Sequence, residues 1–383
     1  MMISRVAISA EIVQFRNERV LDADWARKFP GALWMPVFAE KMSQRGIKVT
    51  TGDVALSHVK QGYWTASDIG VIQHLDDSQT EELIKLGAHP LILTAFESPL
   101  YVPQFYKNVK LIAPKFNHRI MFSGLFEFFK PDSSKNHFVR FPAYNNNDIH
   151  AIVPWKDRGF MVMIVGNKYE LPFSKYYLKN LQDILRLTKR FASLIIKGKI
   201  TSLFDFKNFS YKQLQDIRLS AIIFFGSKNL LKLYGKSWGT LSNLPIAYQK
   251  KLIPLLENLN PEPCQDKHEI SSHYKYALCF ENASFPGYVT EKVIDCFVAG
   301  VIPIYNGAPN IEDFIPANSF INVRNYKSWE ALLEKLNSIT ESEAMQMIDN
   351  GRLFLGSETG QLHSYNGFAS FVEKLVIQEL KGT

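Results

Sequence analysis

Thirteen residues, Phe280 to Lys292 (FENASFPGYVTEK), hold two glutamates, an asparagine, a tyrosine, a threonine and a lysine. Packed ahead of a helix, they stand where open α/β sheets bind ligands, and Lys292 adds a full positive charge to the partial one at the helix N-terminus, so a phosphate fits there. A separate carboxylate, Glu97, stands in AFESP (95–99). A carboxylate beside a ligand hydroxyl can take its proton as a general base. The alternative is a glutamate that caps the turn before Pro99.

The elements that must position these groups read as strand, loop, helix, strand. Tyr276 to Phe280 is an apolar run of strand length. Pro286 and Gly287 punctuate the loop. Thr290 fits the helix cap, with Glu291 in the first turn. Val293, Ile294, Phe297 and Val298 share one helical face, and Gly300 ends the helix. Val301 to Tyr305 is the next strand, and Asn306, Gly307 and Pro309 turn the chain. Such a unit is a right-handed βαβ crossover. The loop then lies outside the carboxyl end of a parallel strand, at a helix N-terminus, where a phosphate fits.

The 383 residues leave room for two domains of roughly 150 residues, each with its own core. A repeated β-then-α order in the first half argues for a parallel sheet. Strands are expected at Arg5–Ser9, Ile69–Leu75, Pro90–Ala95 and Leu111–Ala113, and helices at Ala32–Arg45 and Thr80–Leu86. From about Lys130 to Asp157 the chain is rich in Pro, Asn, Ser and charge, which suggests a linker. The second half opens on the strand Phe160–Val165, with a helix at Tyr211–Phe225 and strands at Leu231–Tyr234 and Phe320–Val323. Three segments follow: a domain over 1–150, a second over 151–340, and a helical tail over 341–383 that packs back on the domains.

Net charge is +7, with lysines that read as scattered, and favours acidic partners such as a nucleotide-linked substrate or anionic lipid. No finger, RNP or basic-helix pattern points to nucleic acid. The three cysteines, Cys264, Cys279 and Cys296, are odd in number and argue for a reducing compartment. Cys264, His268 and His273 are close, but HEISSH is one residue too long for the two-histidine helix motif, so no metal site is expected. The start has no signal-peptide core, and no run reaches the roughly 18 apolar residues of a membrane span. A cytoplasmic location is expected, with room for peripheral contact at the inner face of the plasma membrane.

The segment FENASFPGYVTEKVIDCFVAGVIPIYNG (280–307) is similar to the donor-binding signature of glycosyltransferase family 10, the α-1,3/4-fucosyltransferases, of bacterial type. AFESP (95–99), IVGNKY (164–169), a helix carrying Arg218 and LYGKSW (233–238) resemble the same family in the same order. The resemblance runs from about Gln73 to Tyr326 and is strong in the last third. It implies a GT-B-like α/β fold, two Rossmann-like domains with a cleft between them. The first would hold the acceptor and the second the nucleotide-sugar donor.

The implied activity is that of an inverting glycosyltransferase. It would move L-fucose from GDP-L-fucose to a hydroxyl of an oligosaccharide or glycolipid acceptor, in surface polysaccharide or lipopolysaccharide synthesis. By the same resemblance Glu97 is the catalytic base, Arg218 and Lys292 hold the diphosphate, Glu291 takes the ribose hydroxyls, and Asn282 and Tyr288 contact the donor. Lys168, at a strand's end, is a weaker addition. No metal or other cofactor is required.

The chain departs from the family in places. Gly166 stands where Ser is more usual, and a basic, aromatic insert (169–200) makes Lys175 a rival to Arg218. The heptad-repeat tail of some bacterial members is not expected. The alternatives are another GDP-linked 6-deoxy sugar as donor, or an inactive glycan-binding homologue. A nicotinamide enzyme would need G-x-G-x-x-G after a strand, but Val165 is followed by GNKYE. Asp22-Ala23-Asp24 has the letters of a metal-binding transferase motif but reads as a helix start. Asp76-Asp77 either lines an acceptor site or caps the helix from Thr80.

Overall fold

Strands form where aliphatic and β-branched residues run unbroken, and the helices between them cover the sheet faces. The computed structural model of the chain describes residues 3–29, 31–99, 101–122, 124, 135–149, 151–167, 178, 180–196 and 213–381. Its contacts divide the chain into two units. The first comprises residues 1–97, 104–147 and 357–383, the second 98–103 and 148–356.

The first unit holds a parallel sheet of β1 (Arg5–Ile8), β2 (Lys48–Thr51), β3 (Ile69–His74), β4 (His89–Thr94), β5 (His118–Met121) and β6 (Asn136–Phe138). Their order is β2-β1-β3-β4-β5-β6. The second unit holds a parallel sheet of β7 (Gly159–Ile164), β8 (Leu231–Tyr234), β9 (Tyr274–Phe280), β10 (Ile302–Asn306) and β11 (Ile321–Asn322). Their order is β11-β10-β9-β7-β8. In each sheet the strand order therefore reverses once, between β1 and β3 and between β7 and β9. The carboxyl ends at such reversals are where open α/β sheets hold ligands.

In the second unit the inward residues of the strands, among them Met161, Leu233, Leu278 and Ile304, pack against Phe225 and Leu252 of the covering helices. Two features differ from the sequence expectations. Leu111–Ala113 is not a strand but the end of the helix Pro103–Ile112 and the turn after it. Phe105, Val109 and Ala113 are buried at steps of four, the helical period, and the strand is β5 further on. The stretch expected as a linker contributes β6 to the first sheet. Residues 341–383 divide at residue 356. The helix Glu341–Gly356 stays with the second unit, where Phe354 meets Phe297 with ring centroids 6.1 Å apart. The helix Tyr365–Lys381 joins the first, where Phe368 lies 5.1 Å from Trp34 and 5.8 Å from Phe96. Among the described residues no helix is long and apolar enough to cross a membrane.

Candidate functional site

The centre of the second unit's reversal point is Glu281, the residue after β9. Its N–H extends the ladder to the Asn306 carbonyl at 2.8 Å, which fixes the side chain at the sheet's carboxyl edge with no exposure. A bare carboxylate there would be costly. Glu281 is fully engaged instead. Oε1 accepts the Thr290 N–H at 2.8 Å, and Oε2 accepts the Thr290 hydroxyl at 2.7 Å and Lys292 Nζ at 3.1 Å. Thr290 does occupy the cap position of the helix Glu291–Ala299, but its side chain caps no helix N–H. Its hydroxyl serves Glu281 and accepts from Lys292 at 2.8 Å.

Lys292 sits in the first helical turn, where the helix dipole disfavours a cation without an anion nearby. Burial alone would depress its ammonium, but Glu281 and Glu291 drive its pKa well above the ordinary value. Its contact with Glu291 Oε1 is the longest of the three, at 3.3 Å. A phosphate oxygen would compete first for that position. Burial opposes ionisation of Glu291, yet Lys292, Lys267 and its own N–H hold its carboxyl at about 2.

Arg218 reaches the same edge from the helix Gln215–Ser227. The lead-in to that helix is tied to the loop after β9, because Leu214 donates its N–H to the Asn282 carbonyl at 3.1 Å. Nη2 of Arg218 donates to the Phe280 carbonyl and to Asn282 Oδ1, the latter at 2.9 Å. Arg218 is about nine-tenths buried, and among the described residues its Nε has no hydrogen-bond partner. A buried donor without an acceptor is costly, and this one fits an anionic ligand oxygen. Burial lowers the pKa of Arg218, with Tyr101, Glu281 and Tyr288 acting against that effect.

The structure thus brings Arg218, Asn282, Tyr288, Glu291 and Lys292 to one strand end. Sequence reasoning missed the groups that frame them. Arg324 Nη2 donates to Ser284 Oγ at 2.8 Å and to the Gly307 carbonyl at 2.6 Å, tying the loops after β9 and β10 together. Asn310 Oδ1 accepts the N–H of Gly287, whose φ of +72° suits glycine. A Cβ on Gly307 would stand 2.2 Å from the Tyr305 hydroxyl and 2.5 Å from Glu281 Cγ. Asp295, one turn beyond Glu291, accepts from Lys267 Nζ at 2.6 Å and meets His268 Nε2 at 2.9 Å. For Ser284, Gly307 and Asn310 the signal available was their place on loops after adjacent parallel strands.

The motifs after β7 and β8 interlock. Trp238 Nε1 donates to the Val165 carbonyl at 2.8 Å, and Asn167 Nδ2 donates to the Thr240 carbonyl at 2.8 Å. Gly235, at φ +137°, lets the backbones meet: a Cβ there would lie 2.1 Å from the Val165 oxygen. Lys168 and its rival Lys175 lie outside the described residues.

Glu97 is exposed at the carboxyl end of β4 in the first unit, and its backbone carbonyl accepts from the Tyr106 hydroxyl. Asp77 caps the helix Ser78–Lys85 through the Gln79 N–H and also accepts from the Ser9 hydroxyl at 2.7 Å. Asp22 caps the short helix Ala23–Ala26 through the Trp25 N–H. Among the described residues no group of three or more His, Cys, Asp or Glu is arranged to hold a metal ion.

A sequence model described as glycosyltransferase family 10 (fucosyltransferase) C-term matches residues 247–347. The match begins C-terminal to Glu97, Lys168 and Arg218. Over 71 residues, 18% of this chain and 15% of the relative, the chain is 45% identical to alpha-(1,3)-fucosyltransferase FucT of Helicobacter pylori. Over 65 residues, 17% of this chain and 16% of the relative, it is 42% identical to an alpha-(1,4)-fucosyltransferase of Arabidopsis thaliana. The chain therefore spans about a sixth of the length of each. Among solved structures, a glycosyltransferase of Rickettsia africae superposes with a TM-score of 0.55 at 12% identity, covering 99% of both chains. An alpha1,3-fucosyltransferase superposes with a TM-score of 0.50 at 16% identity, covering 97% of this chain and 89% of the other. At these identities the likeness shows the fold, the GT-B-like α/β class with two parallel sheets.

Proposed function

We propose, from the premise that residues 247–347 are those of a glycosyltransferase family 10 domain, that the chain is a fucosyltransferase. It moves L-fucose from GDP-L-fucose to a hydroxyl of an acceptor glycan, with α-1,3/4-type linkage. The observation that carries this reading is the buried Arg218 guanidinium, with its open Nε, on the same strand end as Lys292. The names of the relatives supply the sugar.

The chemistry is a single displacement. The acceptor oxygen forms its bond to the anomeric carbon as its proton passes to the Glu97 carboxylate. The anomeric carbon–phosphate oxygen bond breaks, and GDP leaves with the electron pair. Negative charge grows on the diphosphate, and Arg218 and Lys292 stabilise it there. Glu291 takes the ribose hydroxyls, and Asn282 and Tyr288 hold the donor. One displacement inverts the centre, so a β-linked donor yields an α-linked product, with no covalent enzyme intermediate. Two side-chain cations supply the charge that a metal ion supplies elsewhere.

A thermal-shift panel tests the reading. GDP and GDP-fucose should raise the melting temperature, whereas UDP and NAD should not. Turnover of GDP-fucose should persist in EDTA. Stabilisation by UDP in place of GDP would sink the donor assignment, and loss of activity in EDTA would sink the metal-free chemistry.

A further inference from the structure

The helix Leu181–Ile196 presents a surface that the proposed chemistry does not use. One edge fixes its rotation. Asp183, with no exposure, accepts the N–H of Ile246 at 2.8 Å and Arg186 Nη1 at 3.0 Å, so it caps the helix Ile246–Leu259. Leu187 packs on the second unit's core.

With that setting, Leu181, Ile184, Leu185, Ala192, Ile195 and Ile196 fall within an arc of about 120° at 100° per residue. All six are exposed, with Leu181 at 72%, Leu185 at 56% and Ile196 at 84%. The hydroxyl within the arc, that of Thr188, is turned back onto the Ile184 carbonyl at 2.9 Å. Leaving large aliphatic side chains in water forgoes the stabilisation that burial would bring.

Charge identifies what covers the stripe. Residues 171–204 carry seven of the 44 Lys and Arg but one of the 37 Asp and Glu, Asp183, so their net charge is +6 and that of the rest of the chain +1. The basic excess is concentrated here rather than scattered. That single carboxylate is buried, and the exposed Lys189 borders the arc. An amphipathic helix with an apolar stripe and a basic border has the physics of an interfacial element. Each Lys or Arg near an anionic leaflet strengthens the attraction. Two copies meeting through this face would bring two strongly positive segments together, and a nucleic-acid backbone would leave the leucines and isoleucines wet.

We propose that the helix Leu181–Ile196 docks on an anionic lipid surface, its apolar arc in the headgroup–acyl boundary and its basic border against the phosphates. Sedimentation of the full chain with vesicles tests this. It should pellet with phosphatidylcholine–phosphatidylglycerol vesicles and stay in solution with phosphatidylcholine alone. The double variant Leu185→Asp, Ile196→Asp should lower the bound fraction by about tenfold, at an unchanged melting temperature. Lys189→Glu should weaken binding less and make it less salt-sensitive, because one electrostatic contact is gone. Four results would overturn the proposal. The first three are no binding by the parent chain to the anionic vesicles, equal binding by the double variant, and a melting temperature several degrees lower in that variant, which would mean that the stripe is covered within the protein. A parent dimer that the same substitutions dissociate would assign the face to a second copy instead.

Discussion

Replacement of Glu281 by glutamine should be the most informative single perturbation of the site. The side chain is fully buried, and its two oxygens receive the Thr290 N–H, the Thr290 hydroxyl and Lys292 Nζ at 2.7–3.1 Å. Glutamine keeps the volume and one acceptor, but turns an NH2 group toward a hydroxyl and an ammonium that are themselves donors. Breaking a buried charge pair costs about 3–5 kcal/mol. Lys292 is 27% exposed and keeps Glu291, so the lower figure of about 2–3 kcal/mol applies, in the range of hydrogen bonds to charged groups. For a unit of this size each kcal/mol moves the melting temperature by about 2–4 °C, so a fall of roughly 5–10 °C is expected by circular dichroism. Glu291→Gln is the control. Its side chain is one-third exposed, and the change should cost less than about 1 kcal/mol. If Glu281→Gln melts within a degree or so of the parent, the account of Glu281 as the organiser of the site is wrong.

Three further outcomes are expected. Glu97→Gln should cut fucose transfer by about 10²–10⁴ while GDP still raises the melting temperature; near-full activity would move the base elsewhere. Lys267→Met leaves Asp295 and Glu291 as like charges one helical turn apart, so the KM for the donor should rise about threefold with kcat kept, and Lys267→Arg should restore it; an unchanged KM would remove Lys267 from the donor's surroundings. The first unit should lose stability in mild acid. Burial, with Arg140 nearby, lowers His363 to about 3, and burial lowers His74 to about 4, so the native state keeps both neutral while the unfolded chain takes up protons below about 6.5. Stability is then fully present above that value and falls as the pH drops towards 4, by up to about 1.4 kcal/mol per pH unit for each histidine. His363→Gln should flatten the plot of melting temperature against pH between 6.5 and 4, and an unchanged slope would refute the assignment.

The strand–loop–helix unit around Glu281 was legible because its signals are local: an apolar strand, a Pro-Gly loop, a one-faced helix and Gly300 at its end, which adopts φ +67°. The convergence of Arg218 on the unit came from the family resemblance alone, since it depends on a bond between Leu214 and Asn282, far apart in the sequence. Arg324 and Asn310 were missed for the same reason. Each looks like a loop residue until parallel pairing sets β9, β10 and β11 side by side. The error at Leu111–Ala113 came from reading a short apolar run without its period, although Phe105, Val109 and Ala113 give the helical answer. The concentration of basic charge in 171–204 was in the sequence throughout, hidden by a chain-wide total.

The return of the helix Tyr365–Lys381 to the first unit sets an order of events on the ribosome. Residues 148–356 can emerge and close their own sheet while Trp34 and Phe96 still wait for Phe368. At ordinary elongation rates the wait between residues 147 and 368 is roughly 10–45 s. Through that interval the nascent first unit carries an uncovered aromatic face, a natural client for a holdase. A protease nick near residue 357 would leave that cover held by packing alone and the other sheet whole.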